Sequence, residues 1–207
     1  MFTMITALNT QLPAFCTAWT NKQYICQAAP ANTKPGNAMY CVFLDNTDSA
    51  GALAYHTENT NVPLSKVFVG TILYYKGAIL MGANASVPTV AQAFSHEIYE
   101  MIANANVNVW WQQRNGNLIA AEVGDPVQGD LVAVKVGNIT VGLTDYILPA
   151  WADPQETKGP FNFLNTLKAP FQVAKGGYMV TMKGGPMSYV MGNSLSEYVQ
   201  YKINSEL

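Results

Sequence analysis

Charge is scarce in this chain of 207 residues: Lys, Arg, Asp and Glu make up 12%, against 49% hydrophobic residues, and the formal net charge is −2. So few cations give little electrostatic grip on a polyanion, which argues against nucleic acid or an anionic membrane surface as partner. Cysteine is equally thin. Cys16, Cys26 and Cys41 are odd in number and form no C-x-x-C, so they read as small apolar residues in a reducing compartment, not as a disulfide frame or zinc knuckle. No apolar run reaches the ~20 uninterrupted residues of a membrane span. The longest, Val67 to Ala85, is broken by Tyr74-Tyr75-Lys76-Gly77 and reads as two strands joined by a turn at Lys76-Gly77. The start, Met1 to Thr6, has neither a basic leader nor an apolar core, so no signal peptide is expected. A phosphate loop, a Ser/His/Asp grouping and a dinucleotide fingerprint are all missing.

Polarity comes instead from Asn, Thr, Gln and Gly. A surface of that kind can be buried against another without desolvating many ions, which suits assembly. Trp110, Trp111 and Trp151 are candidate core or interface anchors for it.

Histidine is rarer still, with two in the chain, and one opens the most informative stretch: Ser95-His96-Glu97-Ile98-Tyr99-Glu100. On an α-helix His96 and Glu100 stand one above the other, so an imidazole and a carboxylate can reach one divalent ion. Glu97 points about 100° round the helix, where it can accept a proton from a water polarised by that ion. The pattern is that of H-E-x-x-H metallopeptidases with Glu for the second His. A solvated helix face is the plain alternative. Such a face normally carries lysine or arginine beside its glutamates, and none occurs between Lys76 and Arg114. Apolar residues at 90, 94, 98, 101 and 102 form a helical stripe that puts Phe94, Ile98 and Met101 inside, with Pro88 in the first turn.

The length suits one domain, 1–207, and no linker, charge block or repeat divides it. A helix is expected over 5–20, strands at Tyr40 to Leu44, Gly51 to His56 and Lys66 to Ile72, and the metal-site helix at 89–103. Strands follow at Leu118 to Val123, Leu131 to Val136 and Ile139 to Leu143, the last two joined at Gly137-Asn138. The Pro- and aromatic-rich segment of about 148–170 reads as an ordered loop, and Ser194 with Glu197 as the capping box of a C-terminal helix.

These pieces together resemble a family of zincin-like proteins found in tailed bacteriophages and bacteria. The resemblance runs through Gln11 to Trp19, Leu44 to His56, Pro63 to Val69, Ser95 to Met101, Glu122 to Pro126, Thr144 to Trp151, Ala169 to Phe171 and Gly176 to Tyr178, and the pairing of S-H-E-x-x-E with a downstream E-x-x-D carries it. It implies an α+β, zincin-like domain, with the metal-site helix packed on a small mixed sheet whose edge strand borders a cleft. Two positions depart from the family pattern: Asn104 stands where an Asp is usual, and Gly124 where a Cys is usual. If that Asp is a ligand, the site is crippled here. If it caps the helix, Asn is a mild replacement.

A tetrahedral site needs a third protein ligand beside His96 and Glu100. Glu122, a lone carboxylate within an apolar strand, is preferred, with Asp125 as alternative or supporting group. One His with two carboxylates accepts Zn²⁺, and also Ca²⁺ or Mn²⁺. His56 is either a substrate or oxyanion donor across the cleft, as the resemblance of Tyr55-His56 suggests, or a satisfied loop residue. Tyr99, Tyr146 and Tyr178 can polarise a carbonyl, although packing is the commoner role. Two functions follow as expectations. One is a zinc-dependent peptidase or other hydrolase, with Glu97 as general base acting on a peptide substrate. The other is a non-catalytic head or tail component that assembles with itself or other virion proteins. The corresponding locations are the host cytoplasm or the virion.

Overall fold

Thr89 begins the helix on which the site depends. Its side-chain oxygen accepts the N–H of Gln92 at 3.0 Å, a side-chain cap at the start of α3 (Val90–Ala103). Pro88 thus lies just ahead of the cap, not in the first turn as the sequence suggests. The expected stripe is buried at Val90, Phe94, Ile98 and Met101, but so are Ala91, Gln92, Ser95, Glu97 and Glu100. The helix is enclosed nearly all round, so its carboxylates are interior groups.

The computed structural model describes residues 1–30, 33, 36, 38–59, 62–82 and 87–192. Among them the architecture is mixed α+β, with four helices and three small sheets. α1 (Phe2–Trp19) buries Met4, Ala7, Leu8, Leu12, Phe15 and Cys16, the spacing of one helical face. β1 (Tyr40–Leu44), β2 (Ala54–Asn59) and β3 (Val62–Phe68) form a mixed sheet in the order β1-β3-β2, with β1 parallel and β2 antiparallel to β3. α3 packs against this sheet. On the other side of α3 lies the hairpin of β6 (Leu131–Val136) and β7 (Ile139–Thr144), with Gly137 in its turn at φ 58°. β4 (Trp110–Gln112), β5 (Leu118–Ala120), β8 (Tyr178–Met182) and β9 (Met187–Met191) make an antiparallel sheet.

Aromatic contacts lock α1 to α3. Phe15 stacks on Tyr99 at 4.5 Å between centroids and meets Tyr146 edge-on at 4.9 Å, while Tyr99 and Tyr146 touch at 5.0 Å. Both tyrosines are buried in this aromatic packing. Ser95 ties α3 to the hairpin: its Oγ accepts the N–H of Thr144 at 2.8 Å and donates to the Gln92 carbonyl at 3.0 Å.

Several expectations are corrected. Residues 69–72 are not strand: β3 ends at Phe68 and the chain turns into α2 (Val69–Tyr74), so the apolar region from Val67 is not a hairpin. The run has no polar alternation to separate strand from helix, and Thr71 N–H donates to the Asp45 carbonyl at 3.0 Å, holding the helical turn against the end of β1. The strand expected over Leu118 to Val123 stops at Ala120, because Glu122 N–H turns back to the Ala120 carbonyl at 2.9 Å. Trp151, at the short helix α4 (Pro149–Ala152), is fully buried against Trp111 and Phe171, so it serves the protein's own core and not a partner. The C-terminal helix and its capping box lie outside the described residues. No helix among those described is long and apolar enough to cross a membrane.

Candidate metal centre

Four segments deliver titratable side chains to one buried spot. α3 supplies His96, Glu97 and Glu100, while β2, at the edge of the mixed sheet, supplies His56, opposite Ser65 in the register with β3. The bend after β5 supplies Glu122, and the single 3₁₀ turn Asp125–Val127 supplies Asp125. That turn is held in place by Ala174 N–H, which donates to the Pro126 carbonyl at 2.8 Å, and by the Gln92 amide, which donates to the Gln128 carbonyl at 2.5 Å.

Within the cluster, His96 Nε2 lies 3.2 Å from Glu100 Oε1 and 3.2 Å from Asp125 Oδ1. His56 Nδ1 lies 3.4 Å from Glu97 Oε2 and 3.5 Å from Glu100 Oε2, and its Nε2 lies 3.6 Å from Glu122 Oε2. All six sequence candidates are thus brought together. Their pairing differs from the expected preference: Asp125 is the carboxylate beside His96, whereas Glu122 faces His56. Two groups of side chains could each hold a metal ion, His96-Glu100-Asp125 and His56-Glu100-Glu122, each with its donor atoms within 4.8 Å of one another. Glu97 stands outside both groups.

Burial makes this arrangement expensive without a cation. Glu97, Glu100, His56 and Asp125 side chains are about 5% exposed, yet no lysine or arginine pairs with the cluster among the described residues. Three of the four buried side-chain atoms without a hydrogen-bond partner among the described residues sit here: His56 Nε2, Glu97 Oε2 and Glu122 Oε2. Burial disfavours the charged form of His56, but Glu100, Glu97 and Glu122 outweigh it and push the imidazolium up to about 11. His96, also opposed by burial, is raised by Glu100 and Asp125. Desolvation, with Glu100 nearby, pushes Glu122 up to about 9. Glu100 is held low despite burial, because both imidazoles face it. Without a metal, protons take up the charge that a divalent ion would neutralise.

The two departures from the resembled pattern have structural accounts. Asn104 is the residue after α3, and its Oδ1 accepts the N–H groups of Asn108 and Val109, each at 3.1 Å. It closes the helix end. Its φ is −139°, so the helix end is reached without left-handed backbone. Gly124 donates its N–H to Glu100 Oε1 at 3.1 Å and leaves room for His96: a Cβ there would stand 2.5 Å from Nδ1. Gly124 was not among the sequence candidates for a site role, and only its place between Glu122 and Asp125 hints at one.

Comparison with protein-family models, with curated proteins and with solved structures finds no match.

Proposed function

We propose that this chain is a divalent-metal-binding protein of zincin-like architecture, and a hydrolase of peptide bonds. One observation carries the reading: six acid and base side chains converge, with Glu97, Glu100 and Asp125 buried, and among the described residues no lysine or arginine pairs with them and three of their polar atoms have no hydrogen-bond partner. His96, Glu100 and Asp125 fit one ion, the nitrogen-and-carboxylate set that suits Zn²⁺ and also Mn²⁺ or Ca²⁺. A bound divalent ion supplies Lewis acidity and makes a water acidic enough to attack at neutral pH. The protein's own part is proton transfer and positioning. Glu97, next to the ligand His96, offers Oε2 as the proton acceptor, and His56 orients that carboxylate from 3.4 Å. β2 is an edge strand running into the site, and such an edge can pair with an extended peptide.

The test is metal content together with turnover. Purified protein should carry divalent metal that His96→Ala removes, and hydrolysis of a mixed peptide substrate should stop on chelation and return on adding Zn²⁺ or Mn²⁺. Protein that takes up none of Zn²⁺, Mn²⁺ or Ca²⁺ would end this reading.

A second reading, a non-catalytic virion component, draws on the surface around α2. Leu73, Tyr74, Tyr75, Ile79 and Met81 are exposed apolar side chains close together in sequence, with Tyr74 81% exposed. A metal-loaded protein that hydrolyses nothing and self-associates through this segment would favour it.

A further inference from the structure

We infer that the centre is built for two divalent ions, bridged by the carboxylate of Glu100. This rests on the metal-binding reading above and extends it to a second site. The two ligand groups share one residue and are otherwise distinct: His96 and Asp125 on one side, His56 and Glu122 on the other. Glu100 turns a different oxygen to each. Oε1 faces His96 at 3.2 Å and Oε2 faces His56 at 3.5 Å, the disposition of a bridging carboxylate. Each half then holds one imidazole, one carboxylate of its own and one oxygen of the shared glutamate.

Three further observations agree. The His56 side chain is 5% exposed, and its Nε2 and the Oε2 of Glu122, 3.6 Å apart, have no hydrogen-bond partner among the described residues. The charge also balances. Glu97, Glu100, Glu122 and Asp125 carry four negative charges when ionised, which two divalent ions neutralise if both histidines bind as neutral imidazoles. His56, moreover, faces a carboxylate from each ring nitrogen, Glu97 on Nδ1 and Glu122 on Nε2. With Nε2, beside the ligand Glu122, binding the ion, Nδ1 keeps Glu97 as an acidic neighbour, the usual support of a ligating histidine. Mixed nitrogen and carboxylate donors favour Mn²⁺ or Zn²⁺ in both halves. A paired centre can hold the attacking and the leaving oxygen of a hydrolysed ester or amide together, which a single ion does less well.

The test strips the whole protein with a chelator and reloads it with Mn²⁺. Metal analysis should give two ions per chain, and the electron paramagnetic resonance spectrum should show exchange coupling between them. Glu122→Gln, a change at the most exposed of the second group's side chains, should lower the capacity from two to one and abolish the coupling. His56→Ala should do the same, and circular dichroism would establish that either variant is folded. One ion per chain in the unaltered protein overturns the second site and leaves the metal-binding reading standing. No ion overturns both. Two uncoupled ions, or a folded Glu122→Gln that keeps two, overturn the bridged assignment.

Discussion

Gly124 is packed against the imidazole of His96 so closely that a Cβ on it would stand 2.5 Å from Nδ1 and 2.8 Å from Cε1. Its backbone N–H meanwhile donates to Glu100 Oε1, the carboxylate oxygen nearest the other side of the same ring. The glycine therefore supports two of the proposed ligands at once. Gly124→Ala forces the ring away from Glu100 and Asp125, and metal affinity should fall by ~10-fold or more, as when supporting groups of a metal site are changed. Titration of the stripped protein with Zn²⁺ measures this, and an unchanged affinity would show that His96 is not held as described.

Glu97 should separate binding from turnover. It lies outside both ligand groups, although its Oε2 is buried and directed at His56. Glu97→Gln keeps the size and one oxygen of the side chain but cannot take a proton. Metal content should be unchanged, and any peptide hydrolysis should fall by ~10²-fold or more. Loss of metal from this variant would make Glu97 a ligand and displace the proton-acceptor role.

How much of this was legible beforehand depended on how local the signal was. α3 and its apolar stripe follow from the 3.6-residue period, and the β6–β7 hairpin from Gly137-Asn138, because both are written within 14 consecutive residues. The same-face pair His96 and Glu100 was readable for that reason. His56 was not placeable by any spacing: it reaches the cluster only because β2 pairs with β3 and that sheet packs on α3. Which of Glu122 and Asp125 lies beside His96 was not readable from spacing either, since it turns on where β5 ends and how the following bend and 3₁₀ turn aim two carboxylates three residues apart. α2 was misread because a short unbroken apolar run carries no period.

Asn104 tests the distinction between a helix end and a ligand. It is buried, and its Oδ1 holds the N–H groups of Asn108 and Val109 as the chain leaves α3. Asn104→Ala leaves both donors without this acceptor, at a cost of about 1–2 kcal/mol in chemical denaturation. Asn104→Asp should retain the two hydrogen bonds and most of the stability. Neither change should lower metal content, and a drop in metal with stability intact would return this position to the ligand set.

Asp145 should give the fold a pH dependence of its own, outside the candidate metal centre. The residue is fully buried; its Oδ1 accepts the N–H groups of Tyr146 at 2.8 Å and Leu164 at 3.3 Å, and its Oδ2 accepts the Asn162 amide at 2.5 Å. Burial outweighs these hydrogen bonds and pushes the carboxyl up to about 6, from an ordinary value of 3.8. The folded chain therefore holds a proton on Asp145 that the unfolded chain has already released. Its contribution to stability is fully present below the unfolded value, near pH 4, and is lost as pH rises through about 6. The whole effect is at most about 3 kcal/mol, from roughly two pH units at 1.36 kcal/mol each. Asp145→Asn removes the titration, although the Asn162 amide would then need to turn to find an acceptor. Denaturation midpoints of the two proteins, measured between pH 4 and 7, should converge toward the upper end of that window or cross within it. Parallel curves across the window would mean that Asp145 titrates equally in the folded and unfolded chain, and that its hydrogen bonds fully offset its burial.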